Sequence, residues 1–389
     1  MITDHETNFV YFSSLIKENE KFAPFWKRLD PILIEHQLGV GFIENTRDIW
    51  CRDYMPIQIN TNDFVQFEFF PNYLIQPKYI NRLTIPTETK IIDRINKRFS
   101  KLIVDGGNIV KYKNTAILTE KVIKENSNRE PETVISILKK DLKVENIFLL
   151  PVQPGDISGH ADGMVRFLDE KSLLVSDYSY ESQSWCKKMD EALEKTGLKI
   201  IKFPSESVEE KNMDGDWVAK GVYINFAQIG NLILFPQFGL KTDKIALDRT
   251  KELYPDCKVI PIDSNEIAEG GGVLNCITWN IKIEPLASFN KLPKKTPSHI
   301  EQEKFVFERL DFYLSTHDYK AIAKGFEIAW NKNIGKNVGD GNFKNMTYHF
   351  LEYVITKNHI PQKIVDTTID LILEYMESIG QWGYDISEN

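Results

Sequence analysis

The chain has 389 residues, with 48 lysines and arginines against 56 aspartates and glutamates, for a formal net charge of −8. Hydrophobic residues make up 42% and aromatic residues 12%, which supplies a sizeable core and excludes a disordered chain. The acidic balance argues against nucleic-acid binding, which needs a basic surface, and fits a small cationic ligand.

The opening stretch MITDHETNFVYFSSLIKENEKF carries acids early and has no long apolar run, so no signal peptide is read there. No run of eighteen apolar residues occurs, so no membrane span is expected. A cytoplasmic protein is the expectation. KLIVDGGNIVKY (101–112) predicts a strand, a tight glycine turn and a second strand. TAILTEKVIKEN predicts a strand running into a helix. PETVISILKKDLKV (131–144) has helical spacing, and NIFLLPV after it reads as a buried strand. MVRFLDEKSLLVSDY (164–178) predicts a hairpin turning at Asp169-Glu170-Lys171. GVYINFAQIGNLILFPQF (221–238) repeats that shape, turning at Gly230-Asn231. DKIALDRTKELYPD (243–256) is an amphipathic helix, and CKVIPID the next strand. This rhythm recurs about every 50 to 60 residues and suggests a modular α/β architecture over 1–290.

Near residue 290 the composition changes. SFNKLPKKTPSH is polar, basic and proline-containing, as a linker is. Helical segments over 299–315, 317–332, 342–357 and 361–379 follow, so 296–389 is expected to be a separate small helical domain. Its histidines, His299, His317, His349 and His359, have no ligand spacing and read as ordinary ones. The four cysteines, Cys51, Cys186, Cys257 and Cys276, are irregularly spaced with no C-x-x-C, which argues against a disulfide framework or zinc site.

Four islands carry candidate chemistry. IWCRDYMPIQ holds Asp53, VDGGNIV holds Asp105, GDISGHADGMVRF holds His160 and Asp162, and EGGGVLNCITW holds Cys276. Each has a plain structural reading. Asp53 with Arg52 fits a surface turn, and Asp105 fits a turn-shaping aspartate before glycine. An H-x-D in a strand puts both side chains on one face as a structural pair. NCITW alone is a core strand, with Cys276 a small buried hydrophobe. Together, three acids, a histidine and a cysteine match what a guanidinium-processing hydrolase needs. A guanidinium is planar, has five donors and stays charged well beyond the physiological pH range. Carboxylates bind it through paired hydrogen bonds. Its carbon is a poor electrophile and calls for a thiolate. A histidine protonates the departing nitrogen and later activates water.

In this order the motifs resemble the agmatine deiminase and bacterial peptidyl-arginine deiminase family of the guanidino-modifying superfamily. WCRDYMP resembles its W-x-R-D-x-x-P, DGGNIV its E-G-G segment, and GHADGMVRF its G-H-x-D segment. GVYINFAQIGNLILFPQFG resembles its Y-x-N-F pair ending in P-x-F-G, and EGGGVLNCITW its G-G-G-x-x-x-C-I-T ending. The resemblance spans about residues 40 to 285. It implies a five-bladed, pseudo-symmetric α/β propeller (the pentein fold), with the all-α domain after it having no counterpart. It also implies Cys276 as nucleophile, His160 as general acid/base, and catalytic roles for Asp162 and Asp105. Asp53 and Asp162 would grip the guanidinium, with Trp50 and Gly271 as further substrate contacts. Asp105 departs from the family's usual glutamate, which holds the histidine or the substrate. FEFFPNYL (67–74) replaces a segment usually ending in tryptophan, where substrate tails are recognised. No metal or organic cofactor is implied, and self-association is left open. The implied reaction is deimination of agmatine to N-carbamoylputrescine and ammonia. Deimination of peptidyl-arginine or another guanidino compound, and amidino transfer to an amine, are the alternatives within the enzyme class. A catalytically silent binding module is the alternative outside it.

Overall fold

TAILT, SLLVS and LILFPQ are short, largely apolar runs, and each becomes the middle strand of a sheet, buried over nearly its whole length. The computed structural model describes residues 1–36, 38–89 and 97–283. Its strands are β1 (Phe9–Ser13), β2 (Gly39–Ile43), β3 (Ile57–Asn60), β4 (Asp63–Glu68) and β5 (Lys97–Ile103). Next come β6 (Val110–Tyr112), β7 (Thr115–Thr119), β8 (Asn146–Leu150), β9 (Val165–Phe167) and β10 (Ser172–Ser176). The last are β11 (Lys199–Phe203), β12 (Ala227–Ile229), β13 (Leu232–Gln237), β14 (Lys258–Asp263) and β15 (Trp279–Ile281).

Among the described residues these form five three-stranded sheets. Four share one plan: an antiparallel hairpin, then a third strand added parallel to the hairpin's second. They are β3-β4-β5, β6-β7-β8, β9-β10-β11 and β12-β13-β14. The fifth has the order β15-β1-β2. In it β1 and β15 run antiparallel, with Phe9 opposite Ile281 and Tyr11 opposite Trp279. β15 therefore holds the edge position that β3, β6, β9 and β12 hold in the other sheets.

A parallel third strand needs a crossover, and helices supply it. Helix Pro131–Leu142 joins β7 to β8 and buries Val134, Leu138 and Leu142 in a core shared with Val65, Leu102 and Leu118. Helix Gln183–Glu194 joins β10 to β11 and buries Trp185, Met189 and Leu193 against Leu173 and Val175. Residues 1–30 and 43–282 form one compact unit, which carries every side chain discussed below. The other comprises 31–42 and 283–389. The expected helical domain over 296–389 and its histidines lie outside the described residues.

The hairpins and helices form where the sequence places them, with three differences. β8 is not a buried strand. As a sheet edge with one partner, it is exposed at Asn146 and fully buried only at Leu150. His160 and Asp162 do not lie on a strand, because His160 caps a 3-10 turn over Ala161–Gly163. Cys276 is not on a core strand either; it sits in a turn just ahead of β15. Among the described residues no helix is long and apolar enough to cross a membrane.

Candidate active site

In each sheet a short turn precedes the outer strand of the antiparallel pair, and these five turns carry the polar side chains of the motifs. Cys51–Tyr54, one helical turn, precedes β3 and is buried at all four residues, so Asp53 is not on a surface turn. Asp105 stands at the head of the 3-10 turn Gly106–Asn108, ahead of β6. His160 and Asp162 precede β9, Asn225 precedes β12, and Cys276 precedes β15.

The side chains converge. His160 Nε2 lies 2.8 Å from Asp105 Oδ2, and His160 Nδ1 lies 3.5 Å from Asp53 Oδ1. Asp53 Oδ1 accepts the Gly107 N–H at 3.0 Å. Asp162 Oδ2 accepts Asn275 Nδ2–H at 2.7 Å and lies 3.9 Å from Cys276 Sγ. The thiol donates to Asn225 Oδ1 at 3.3 Å. Gly107 marks the meeting point. A Cβ there would stand 2.5 Å from Asp53 Oδ1, 2.8 Å from His160 Nδ1 and 3.3 Å from Asp162 Oδ2. Gly107→Ala is thus expected to keep the fold, since the turn needs no positive φ there, and to lose activity by about a hundredfold through misplacement of these groups. Circular dichroism beside steady-state rates checks it, and near-normal turnover would contradict the geometry.

Burial dominates the electrostatics. It presses Asp53 up to about 7, with Asp105 and Asp162 adding to the rise and His160 opposing it. Asp162 is raised by burial, against the pull of His160 and of the Asn275 hydrogen bond. Burial alone would lower His160, but Asp53 and the Asp105 hydrogen bond hold it up to about 9. Cys276 is pushed well above the usual thiol range by burial and by the charges of Asp162 and Asp53. The resting site at neutral pH therefore pairs an imidazolium with a protonated thiol.

Asp53, Asp105, His160, Asp162 and Cys276 are all brought together. Trp50 and Gly271 belong to a neighbouring arrangement. A Cβ at Gly270 or Gly272 would run into the Trp50 ring, at 2.9 and 2.6 Å, so these two glycines make room for the indole. Gly271 has φ +95°, with open space where a Cβ would be, so it serves the turn through its backbone. Asp105 holds the histidine, which accounts for its place in the cluster despite the shorter side chain.

Several residues escaped the sequence reading. Asn225 and Asn275 hold the thiol and Asp162 respectively. Each sits inside an apolar run, and a buried amide there must find partners. Arg52 donates to Asn275 O at 3.2 Å, to Asn275 Oδ1 at 3.1 Å and to Asn280 Oδ1, which pins the cysteine turn from behind. Lys121 Nζ lies 2.5 Å from Asp105 Oδ2. Tyr73, in the FEFFPNYL segment, meets the His160 ring edge-on at 6.2 Å. A cavity of about 530 Å³ lined by Arg52, Asp162 and Asn275, with Asp4, Arg166 and Tyr254 among its other walls, excludes Cys276 and His160 from its lining.

The chain belongs to the Porphyromonas-type peptidyl-arginine deiminase family, whose model matches residues 3–281. A Marinomonas protein named "Putative agmatine deiminase" is 28% identical over 209 residues, covering 46% of this chain and 57% of that protein. A Listeria monocytogenes protein named "Putative agmatine deiminase 1" is 26% identical over 215 residues, covering 47% and 59%. The chain thus matches little more than half the length of these relatives. Among solved structures, C. jejuni agmatine deiminase superposes with a TM-score of 0.60 at 19% identity, over 73% of this chain and 96% of the other. Enterococcus faecalis agmatine deiminase gives 0.55 at 17% identity, over 71% and 93%. The α/β fold of mixed sheets is the fold of these deiminases.

Proposed function

We propose that the protein hydrolyses a guanidino compound through a covalent intermediate on Cys276, releasing ammonia and a ureido product. The observation that carries this reading is the convergence of Asp53, His160 and Asp162 on Gly107, with Cys276 beside Asp162. The five three-stranded sheets, four of one plan, are read as blades of a closed propeller, each delivering one turn to the centre.

Guanidinium binding between Asp53 and Asp162 neutralises the two charges that raise the thiol, so substrate itself favours the thiolate and the thiol proton is released to solvent as substrate enters. The buried Asp105 Oδ1, unpartnered among the described residues, is an acceptor left for a substrate N–H. Sγ adds to the guanidinium carbon and forms a C–S bond. Protonated His160 gives its proton to one amino group, the C–N bond breaks, and ammonia leaves an S-amidino cysteine. Neutral His160 then takes a proton from water as the oxygen adds to the same carbon. Collapse breaks the C–S bond, the hydroxyl proton passes to the released ammonia or to solvent, and the ureido product and the thiolate are freed.

Agmatine, giving N-carbamoylputrescine, is the substrate favoured by the names of the relatives. The family description favours peptidyl-arginine as the second reading. The reaction is placed in a reducing cytoplasm, which keeps Cys276 a thiol. A panel of agmatine, arginine, arginyl peptides and methylated arginines, read for ammonia and ureido product, tests this. The expected result is turnover of agmatine above the rest. Turnover of peptides alone selects the second reading, and no release from any of them overturns deimination.

A further inference from the structure

Lysine is rarely buried, and a buried ammonium needs compensating charge. Lys121, on the helix Lys121–Glu125 that follows β7, has a side chain only 6% exposed. Its Nζ sits between two buried carboxylates, 2.5 Å from Asp105 Oδ2 and 2.7 Å from Glu125 Oε1. It also lies over the Tyr73 ring at 5.4 Å. The oxygen it grips on Asp105 is the one that meets His160 Nε2. Its stem lies against Gly159, next to the histidine, where a Cβ would meet Lys121 Cδ at 3.4 Å.

We propose that Lys121 is a positioning residue of the catalytic centre, fixing the Asp105 carboxylate and through it the His160 ring. The proposal rests on the deimination reading only in taking His160 as the acid–base group. A shorter acid cannot reach as far as a glutamate, and here a cation holds it by the same oxygen that meets the histidine. Because Nε2 is committed to Asp105, Nδ1 faces Asp53 and the meeting point at Gly107, where the leaving nitrogen must be protonated. Sharing one oxygen between ammonium and imidazolium also keeps His160 from binding its proton too tightly. Burial and Asp105, Glu125, Tyr73 and His160 surround Lys121, while Asp53, Asp105, Asp162, Lys121 and Tyr73 surround His160.

The test is an NMR titration of His160 in the full-length protein without substrate, with the resonance assigned by its loss in His160→Asn. Lys121→Met removes a like charge, so the titration should move to higher pH by about one unit or more. Glu125→Gln removes a negative charge and should move it to lower pH. In turnover, Lys121→Met should lower kcat by about tenfold or more while KM stays within about twofold, since Asp53 and Asp162, the two carboxylates that grip the guanidinium, do not touch Lys121. An unmoved titration in Lys121→Met, or shifts of the same sign in both variants, overturns the proposal. If Lys121→Met does not fold, Glu125→Gln decides alone, and an unmoved or alkaline shift overturns it. Absence of agmatine turnover in the unmodified protein would defeat the substrate assignment and leave the titration result standing.

Discussion

Cys276→Ser should lower turnover by about a thousandfold or more, equivalent to about 4 kcal/mol of barrier, while substrate still binds. The hydroxyl fits where the thiol is, ahead of β15 and within reach of Asn225 and Asp162. Its proton is far harder to remove, and the carbon it must attack carries a delocalised positive charge. The carboxylates that hold the guanidinium remain in place. Calorimetric titration of the variant with agmatine should therefore give a dissociation constant close to that of the parent protein. Retention of more than about a tenth of the rate would remove Cys276 as nucleophile.

His160→Asn should lose turnover to a similar extent and also change its pH dependence. In the unmodified protein kcat/KM should be bell-shaped. The acid limb falls below about pH 7 as Asp53 gains a proton and the guanidinium loses a carboxylate partner. The alkaline limb falls above about pH 9 as His160 loses the proton destined for ammonia. These apparent values belong to the coupled cluster, in which Asp53 and His160 lie 3.5 Å apart. Without the imidazole the alkaline limb should disappear from the residual activity. Mass spectrometry of a quenched reaction should find Cys276 carrying the amidino group, because the water-activating step is lost as well. An intact alkaline limb in His160→Asn would assign that proton to another group.

The hairpins were legible because their signals are local: apolar runs alternate with turn residues such as Gly230-Asn231, and each turn joins the two strands that flank it. The catalytic set was legible only through ordered motifs. Asp53, Asp105, His160 and Cys276 are scattered over the chain, and no periodicity predicts that their turns meet. The turns themselves were misread as strands around His160 and Cys276, since GHADGMV and NCITW have the apolar content of strands. The side chains that hold the first set were harder still. Lys121 lies in TEKVIKEN, whose helical spacing points to an ordinary exposed lysine, and its burial follows from Asp105, at the other chain end of the same β6-β7 hairpin. Asn225 and Arg52 likewise owe their roles to partners on other sheets.

The antiparallel register of Phe9 with Ile281 joins the first of the described strands to the last. Such distant partners meet slowly, because the intervening chain must first be brought to order. Asp53, Asp105, His160 and Asp162 all leave the ribosome before the cysteine does. The turn bearing Cys276 gains its anchorage only when Trp279–Ile281 docks on β1 and Arg52 takes hold of Asn275. A nascent chain short of that strand carries Asp53, Asp105, His160 and Asp162 without an anchored Cys276, so on the proposed mechanism activity should arise only once β15 has been made and docked.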